Sequence, residues 1–131
     1  MYITIDETDQ RPIYQQVVDE IKAIIAAGEL PEGSSLPPVR QVAADLGVNL
    51  NTIAFAYRRL QKEGLINLKH GSGAVVISRL VAKRDEEHLQ GKLMPVLTDM
   101  MLQGLSRTEV IALVNNALNR IAGEKGRRSE T

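Results

Sequence analysis

The sequence has no cysteine among its 131 residues. Disulfides, thiolate metal sites and cysteine nucleophiles are therefore excluded, and a reducing compartment, the cytoplasm, is expected. The sequence also lacks any apolar run of the roughly 18 residues that a membrane span needs. Its start is acidic, at Asp6 and Glu7, where a secretory signal peptide would be basic. We expect neither secretion nor insertion into a membrane.

Net charge is absent too, because 16 basic residues balance 16 acidic ones, and this alone argues against a nucleic-acid binder. The charges are nevertheless segregated. Residues 1–49 carry three basic and eight acidic side chains, residues 50–84 carry seven basic ones and Glu63 alone, and residues 85–131 carry six and seven. The basic middle segment is a candidate surface for a polyanion. The alternative is a solvated face on which basic residues cluster by chance.

The composition, with 44% hydrophobic and 24% charged residues, is typical of a globular protein. Apolar residues at spacings of three and four predict a helix over residues 11–27, followed by turn-forming residues. A short helix is predicted over 38–46, and after Gly47 a further helix that ends before Gly64. Two short helices joined by a glycine-containing turn indicate a helix-turn-helix.

The hydrophobic pattern changes after Gly64. Aliphatic runs at 65–68 and 73–77 flank Lys69-His70-Gly71-Ser72, which predicts a two-stranded hairpin. A lone hairpin is marginally stable in water, so we expect it to pack on the helices as a wing. These elements make residues 1–77 a winged helix-turn-helix domain.

The remainder of the chain predicts two helices. Residues 78–88 are highly charged and indicate a linker, and residues 89–123 hold two apolar stripes separated by Gly104 and the capping box that Ser106 and Glu109 form. The polar residues 124–131 are expected to be a flexible tail. Two such helices have more apolar surface than they can enclose. A second copy of the chain would cover it, unless the helices fold back on the first domain. The predicted fold class is mainly α with a small β-hairpin, a winged helix-turn-helix domain followed by a two-helix dimerisation hairpin.

The first 77 residues resemble the GntR family of bacterial transcription regulators. The resemblance rests on Pro12-Ile13-Tyr14-Gln15-Gln16, Gly28-Glu29-Leu30-x-x-Gly33-x-x-Leu36-Pro37, Val39-Arg40-x-x-Ala43, Leu46-Gly47-Val48, Asn51-Thr52-Ile53, Ala56-Tyr57-x-x-Leu60-x-x-Glu63-Gly64-Leu65-Ile66 and Gly71-Ser72-Gly73. By its length, the C-terminal remainder is similar to that of the YtrA-type subfamily, where it serves in dimerisation. The resemblance implies a homodimeric repressor that binds double-stranded DNA at an inverted repeat, with genes for ATP-binding-cassette transporters as suggested targets.

The second helix of a helix-turn-helix lies in the major groove, and its first residues meet base edges. Here these are Asn49, Leu50, Asn51 and Thr52, with Phe55 and Arg58 one turn further on. Asparagine can contact adenine through two hydrogen bonds, and threonine can contact a base or a phosphate. The alternative role for Asn49 or Asn51 is helix capping alone.

Other candidate contacts flank this helix. The resemblance implies that Arg40 reaches DNA beside it, and a structural salt bridge is the alternative. The resemblance also places His70 and Gly71, at the wing tip, in the minor groove. A metal-ligand role for His70 is not expected, because the sequence offers no cysteine or acidic cluster to complete a site. Phosphate contacts are expected from four more basic residues, which are Arg58, Arg59, Lys62 and Lys69.

The chain departs from the family pattern at two positions. Many members carry arginine where this chain has Leu50, and some carry arginine where it has Ala54. Leucine cannot hydrogen-bond a base, although it can contact a thymine methyl group, so the operator typical of the family is not assured. These departures and the zero net charge are the evidence for an alternative to the regulator, a protein-interaction module with weak or non-specific DNA binding.

No enzyme is expected, because the sequence shows no Ser-His-Asp arrangement, metal-ligand set or phosphate-binding loop. No cofactor is expected either. About 45 residues follow the first domain, too few to enclose a pocket of about 300 Å³. A small-molecule effector, of unknown identity, would therefore have to bind between subunits or domains.

Overall fold

The computed structural model describes residues 1–69, 73–81 and 83–130, with side chains up to residue 121. The chain forms two compact units, Met1–Ala82 and Lys83–Thr131. The elements of the first unit are α1 (Ile13–Ala26), β1 (Ser35–Leu36), α2 (Val39–Leu46), α3 (Leu50–Lys62), β2 (Ile66–Leu68) and β3 (Ala74–Val76). The second unit holds α4 (Glu86–Leu102) and α5 (Arg107–Glu130). In the described residues no helix is both long enough and apolar enough to cross a membrane.

The predicted helix-turn-helix is confirmed by α2 and α3. Pro38 precedes α2, where its fixed φ suits a helix start and its missing N–H costs nothing. Gly47 ends α2 with a left-handed φ of 67°, and the Val48 N–H then donates to the Ala43 carbonyl over 3.0 Å. This cap satisfies a carbonyl at the end of α2, and it turns the chain into α3 within three residues.

The core of the first unit lies between α1, α3 and the sheet. Side chains on one face of α1 and one face of α3 are buried, and they are joined by Leu36, Ile66 and Val76 from the strands. In α3 the fully buried residues are Ile53, Ala56, Tyr57 and Leu60. This packing fixes which face of α3 is left for solvent or a partner.

The predicted hairpin is confirmed in its two strands, with Ile66 opposite Val76 and Leu68 opposite Ala74. A further strand that the sequence did not predict, β1, also pairs with β3 and places Ser35 opposite Val75. Strand β1 has only two residues, too few for the alternation of polar and apolar side chains that identifies a strand in the sequence. Residues 70–72, which hold the predicted wing-tip positions His70 and Gly71, lie outside the described residues.

The second unit differs from the sequence expectation at both ends. Helix α4 begins at Glu86, inside the linker predicted for 78–88, because the Asp85 carboxylate caps it by accepting from the His88 N–H over 3.0 Å. Helix α5 extends to Glu130, so residues 124–130 of the predicted tail are helical, and the flexibility of the tail stays a prediction. That stretch has no proline and is rich in residues of good helix propensity.

The predicted capping box between the two helices is confirmed. Ser106 Oγ accepts from the Glu109 N–H, and the Ser106 N–H donates to Glu109 Oε1, each over 3.2 Å. Gly104 has a φ of 91°, a value that glycine adopts without strain. Helix α4 continues through Pro95 without ending there.

Candidate nucleic-acid interface

Helix α3 has one buried and one exposed face. Opposite the buried residues, exposed side chains project outward, and they include Asn51, Phe55, Arg58, Arg59 and Lys62. Because α1 and the sheet bury the opposite face, most of this outer face is open to solvent. It combines amide, aromatic and cationic groups.

The start of α3 separates the two predicted roles of its asparagines. Asn49 is the N-cap, and its side-chain oxygen accepts from the Asn51 N–H over 2.7 Å. Capping by Asn49 satisfies one of the free N–H groups of the first turn. The Asn51 side chain is exposed and makes no hydrogen bond within the described part of the chain. It is therefore available to a ligand, and Thr52 beside it is partly exposed.

Arg40 lies in the first turn of α2 and is exposed. The salt-bridge alternative finds no support, because no acidic side chain in the described ranges pairs with it. The start of α2 is tied to α3 by Tyr57, whose hydroxyl donates to the Pro37 carbonyl over 2.6 Å. Burial raises the pKa of Tyr57, so the hydroxyl stays protonated as a donor. This partly buried hydrogen bond fixes the start of α2, the helix that carries Arg40, against α3.

The aromatic ring of Phe55 is held between two neighbours. The edge of the Tyr14 ring, from α1, meets Phe55 with centroids 4.7 Å apart and an interplanar angle of 77°. On another side the Arg58 guanidinium carbon lies 5.9 Å from the Phe55 ring centre. The sequence did not predict the contact between Tyr14 and Phe55, because no local pattern links positions so far apart.

Electrostatics favour a polyanion on this face. Arg58, Arg59 and Lys62 form no ion pair with any described residue. Glu63, the single acidic residue of segment 50–84, is instead held by Lys22 of α1 at 2.7 Å. Its charge is therefore compensated on the side facing α1. No described acidic side chain therefore neutralises the positive charges on the outer face of α3.

The predicted wing contacts are described only in part. Lys69 follows β2 and is exposed, and its N–H donates to the Gly73 carbonyl over 2.8 Å. His70 and Gly71 lie outside the described residues, so the structure tests neither position. Among the residues described, no group of three or more histidine or acidic side chains is placed to hold a metal ion.

Comparison with known proteins identifies the family. The model of the bacterial regulatory proteins of the gntR family matches residues 13–76. The structure of YtrA from Sulfolobus acidocaldarius, described as a GntR-family transcription factor, is 36% identical, covers 73% of this chain and 97% of that one, and superimposes with a TM-score of 0.60. This chain belongs to the GntR family.

A curated relative supports the GntR assignment further. The HTH-type transcriptional repressor YtrA of Bacillus subtilis is 35% identical over 74 residues, which are 56% of this chain and 57% of that protein. The chain thus spans little more than half the length of that relative, and a smaller share of others. Together with the archaeal structure, this match supports the YtrA-type subfamily.

The fold likeness also includes the second unit. A transcriptional antiterminator from Listeria monocytogenes EGD-e is 28% identical, covers 94% of each chain and gives a TM-score of 0.82. The gntR family match, by contrast, ends with β3. All described candidate contacts, from Arg40 to Lys69, therefore lie inside the GntR-type winged helix-turn-helix.

Proposed function

We propose that this GntR-family chain regulates transcription by binding double-stranded DNA, with α3 in the major groove. The observation that carries the proposal is the outer face of α3, which exposes Asn51 and three cations that pair with no acidic side chain of the described residues. The N-terminal end of such a helix meets base edges, and cations along the helix neutralise phosphates. The buried face fixes the helix, so this surface is presented without rearrangement.

The residues have separate roles in the proposal. Asn51 contacts adenine and Thr52 contacts a base or a phosphate, while Asn49 caps the helix and presents its amide group nearby. Arg40 contacts guanine or phosphate from α2. The phosphate contacts come from Arg58 and the neighbouring cations, with Lys69, His70 and Gly71 on the wing reaching the minor groove.

The second unit is proposed to form a homodimer. Its helices expose an apolar surface, which includes Leu93, Met101, Ile111 and Val114, and a groove of about 550 Å³ lies between α4 and α5. A contiguous apolar surface of this kind marks a protein interface, and two-fold homodimers are the commonest oligomers. A dimer would present two α3 helices to the half-sites of an inverted repeat.

The biological role follows from the same arrangement. A dimer seated on an inverted repeat that overlaps a promoter would block transcription, so we propose a repressor in the cytoplasm. Transporter genes of the ATP-binding-cassette type are proposed as targets on the YtrA-type likeness alone. A small-molecule effector, if one exists, is proposed to bind between the subunits of the dimer. A thermal-shift screen that finds no ligand, or ligands that leave the DNA affinity unchanged, would count against an effector.

Salt dependence of binding tests the DNA proposal. Anisotropy titrations of a labelled duplex over a series of salt concentrations should show affinity falling steeply with salt, because binding releases counterions. Footprinting should then protect one defined site. Weak binding without a protected site would favour the alternative, a protein-interaction module with incidental DNA affinity.

Sedimentation equilibrium tests the dimer. We expect the wild type to sediment as a dimer and Val114→Glu as a monomer, since a charge in the groove would be desolvated in the interface. Gln103→Glu, an exposed change at the end of α4, is the matched control and should stay dimeric. A monomeric wild type at micromolar concentration would contradict this part of the proposal.

A further inference from the structure

Phe55, the single phenylalanine of the chain, stands on the outer face of α3 among polar and basic side chains. It lies one turn after Asn51 and is 41% exposed. Exposing an aromatic ring forgoes the large stabilisation that its burial would give. A ligand that packs on the ring would recover part of this stabilisation.

The ring is held in a defined orientation before any ligand arrives. The edge contact from Tyr14 and the Arg58 guanidinium fix it from two sides, at centroid distances of 4.7 Å and 5.9 Å. Aromatic and cation–π contacts of this kind stabilise one geometry of the ring. A side chain held in this way loses little conformational entropy when a ligand packs against it.

Beside the ring lies an open depression of about 300 Å³, lined by Tyr14, Asn51, Thr52 and Phe55. One wall is aromatic, and the other offers an amide and a hydroxyl group. In the major groove an A·T pair presents the same two kinds of group. Adenine shows N7 and its amino group, which suit asparagine, while thymine shows its apolar C5-methyl group.

We propose that Phe55 is a specificity-determining residue that reads the C5-methyl group of a thymine in each half-site. The occupant of the depression is duplex DNA, since the exposed cations Arg58, Arg59 and Lys62 follow Phe55 along the same helix. Asn51 contacts an adenine at the same or the neighbouring base pair. The inference rests on the proposed function and adds the base feature that is read.

Deoxyuridine substitution tests this inference, because uracil lacks only the methyl group of thymine. On a duplex selected by the wild type, each thymine of a half-site is replaced in turn and the dissociation constant is measured at fixed salt. We expect one thymine position per half-site to lose about fourfold in affinity, the value of one buried methyl group. Thymines outside the half-sites serve as controls and should lose nothing.

The variants assign the methyl contact to a residue. Phe55→Ala should bind more weakly and should no longer distinguish thymine from uracil at that position. Phe55→Gln, a good helix former with a polar end, gives a second variant if the alanine variant does not fold, and it should lose the same discrimination. Leu50→Ala should keep it, although Leu50 is also exposed.

Three results would overturn the inference. Equal weakening of the thymine and uracil duplexes by Phe55→Ala, with the difference between them retained, would make Phe55 a structural support for Arg58. Loss of the discrimination in Leu50→Ala alone would assign it to Leu50. If the wild type binds a defined site yet never distinguishes uracil, only the inference fails, whereas the absence of any defined site would overturn the proposed function as well.

Discussion

The Tyr57 hydroxyl donates a 2.6 Å hydrogen bond to the Pro37 carbonyl oxygen, joining the buried face of α3 to the residue before the α2 cap. Both helices of the helix-turn-helix are therefore oriented through one buried side chain. This contact links the core of the first unit to the position of Arg40. It predicts a measurable cost when the hydroxyl group is removed.

Tyr57→Phe removes only that hydroxyl and leaves the Pro37 carbonyl without its partner. Since a buried acceptor is left unsatisfied, we expect the free energy of unfolding to fall by about 1–3 kcal/mol. Urea denaturation followed by circular dichroism measures it. Tyr14→Phe is the control, because no hydrogen bond of its hydroxyl lies within the described residues, and equal losses in the two variants would contradict the prediction.

Gly47→Ala should destabilise the helix-turn-helix. The φ of 67° is left-handed, and an added Cβ would meet no atom within 4 Å, so the cost comes from the backbone alone, about 1–2 kcal/mol. Thermal unfolding measures it. Gly91→Ala, inside α4 and equally unobstructed, is expected to stabilise its own unit slightly. A neutral Gly47→Ala would show that φ at this position relaxes.

Lys22 and Glu63 join α1 to the end of α3 over 2.7 Å, with side chains 34% and 30% exposed. A double-mutant cycle with Lys22→Met and Glu63→Gln should give a coupling energy of about 1 kcal/mol, because partial exposure to solvent weakens the pair. The coupling should shrink in high salt. Lys62→Met, an exposed change beside Glu63, should alter stability by less than about 0.5 kcal/mol, and an effect as large as that of Lys22→Met would contradict this account.

Arg59→Gln and Lys62→Gln should weaken DNA binding to every sequence alike. Each removes about one phosphate contact, so the slope of log affinity against log salt should fall by about one unit per variant. Anisotropy titrations of specific and unrelated duplexes measure both effects. Lys92→Gln, an exposed change in α4, is the control. A change in sequence preference without a change in slope would show that the side chain reads bases.

Much of the fold could be predicted because its signals are local. Apolar spacing and Gly47 located α1, α2 and α3, and the aliphatic runs located the wing strands. Strand β1 was not predicted, because a two-residue strand forms only when β3 is beside it. The start of α4 was not predicted, because the charged residues around Asp85 indicated a linker. The Asp85 carboxylate instead caps the helix.

The candidate site was predictable residue by residue but not as a surface. The sequence singled out Arg40 and Asn51, and it left the choice between capping and contact open for the asparagines. Only the structure assigns the cap to Asn49 and brings Tyr14 against Phe55. Contacts between distant segments depend on packing, which has no periodic signature in the sequence.

The most direct test of the account is selection of bound duplexes from a random DNA pool, carried out with the wild type, Asn51→Ala and Arg40→Ala. We predict that the wild type enriches an inverted repeat, and that each variant loses or relaxes the preference at defined positions of both half-sites. Enrichment of no motif by the folded wild type, or of the same motif by all three proteins, would contradict DNA reading by α3.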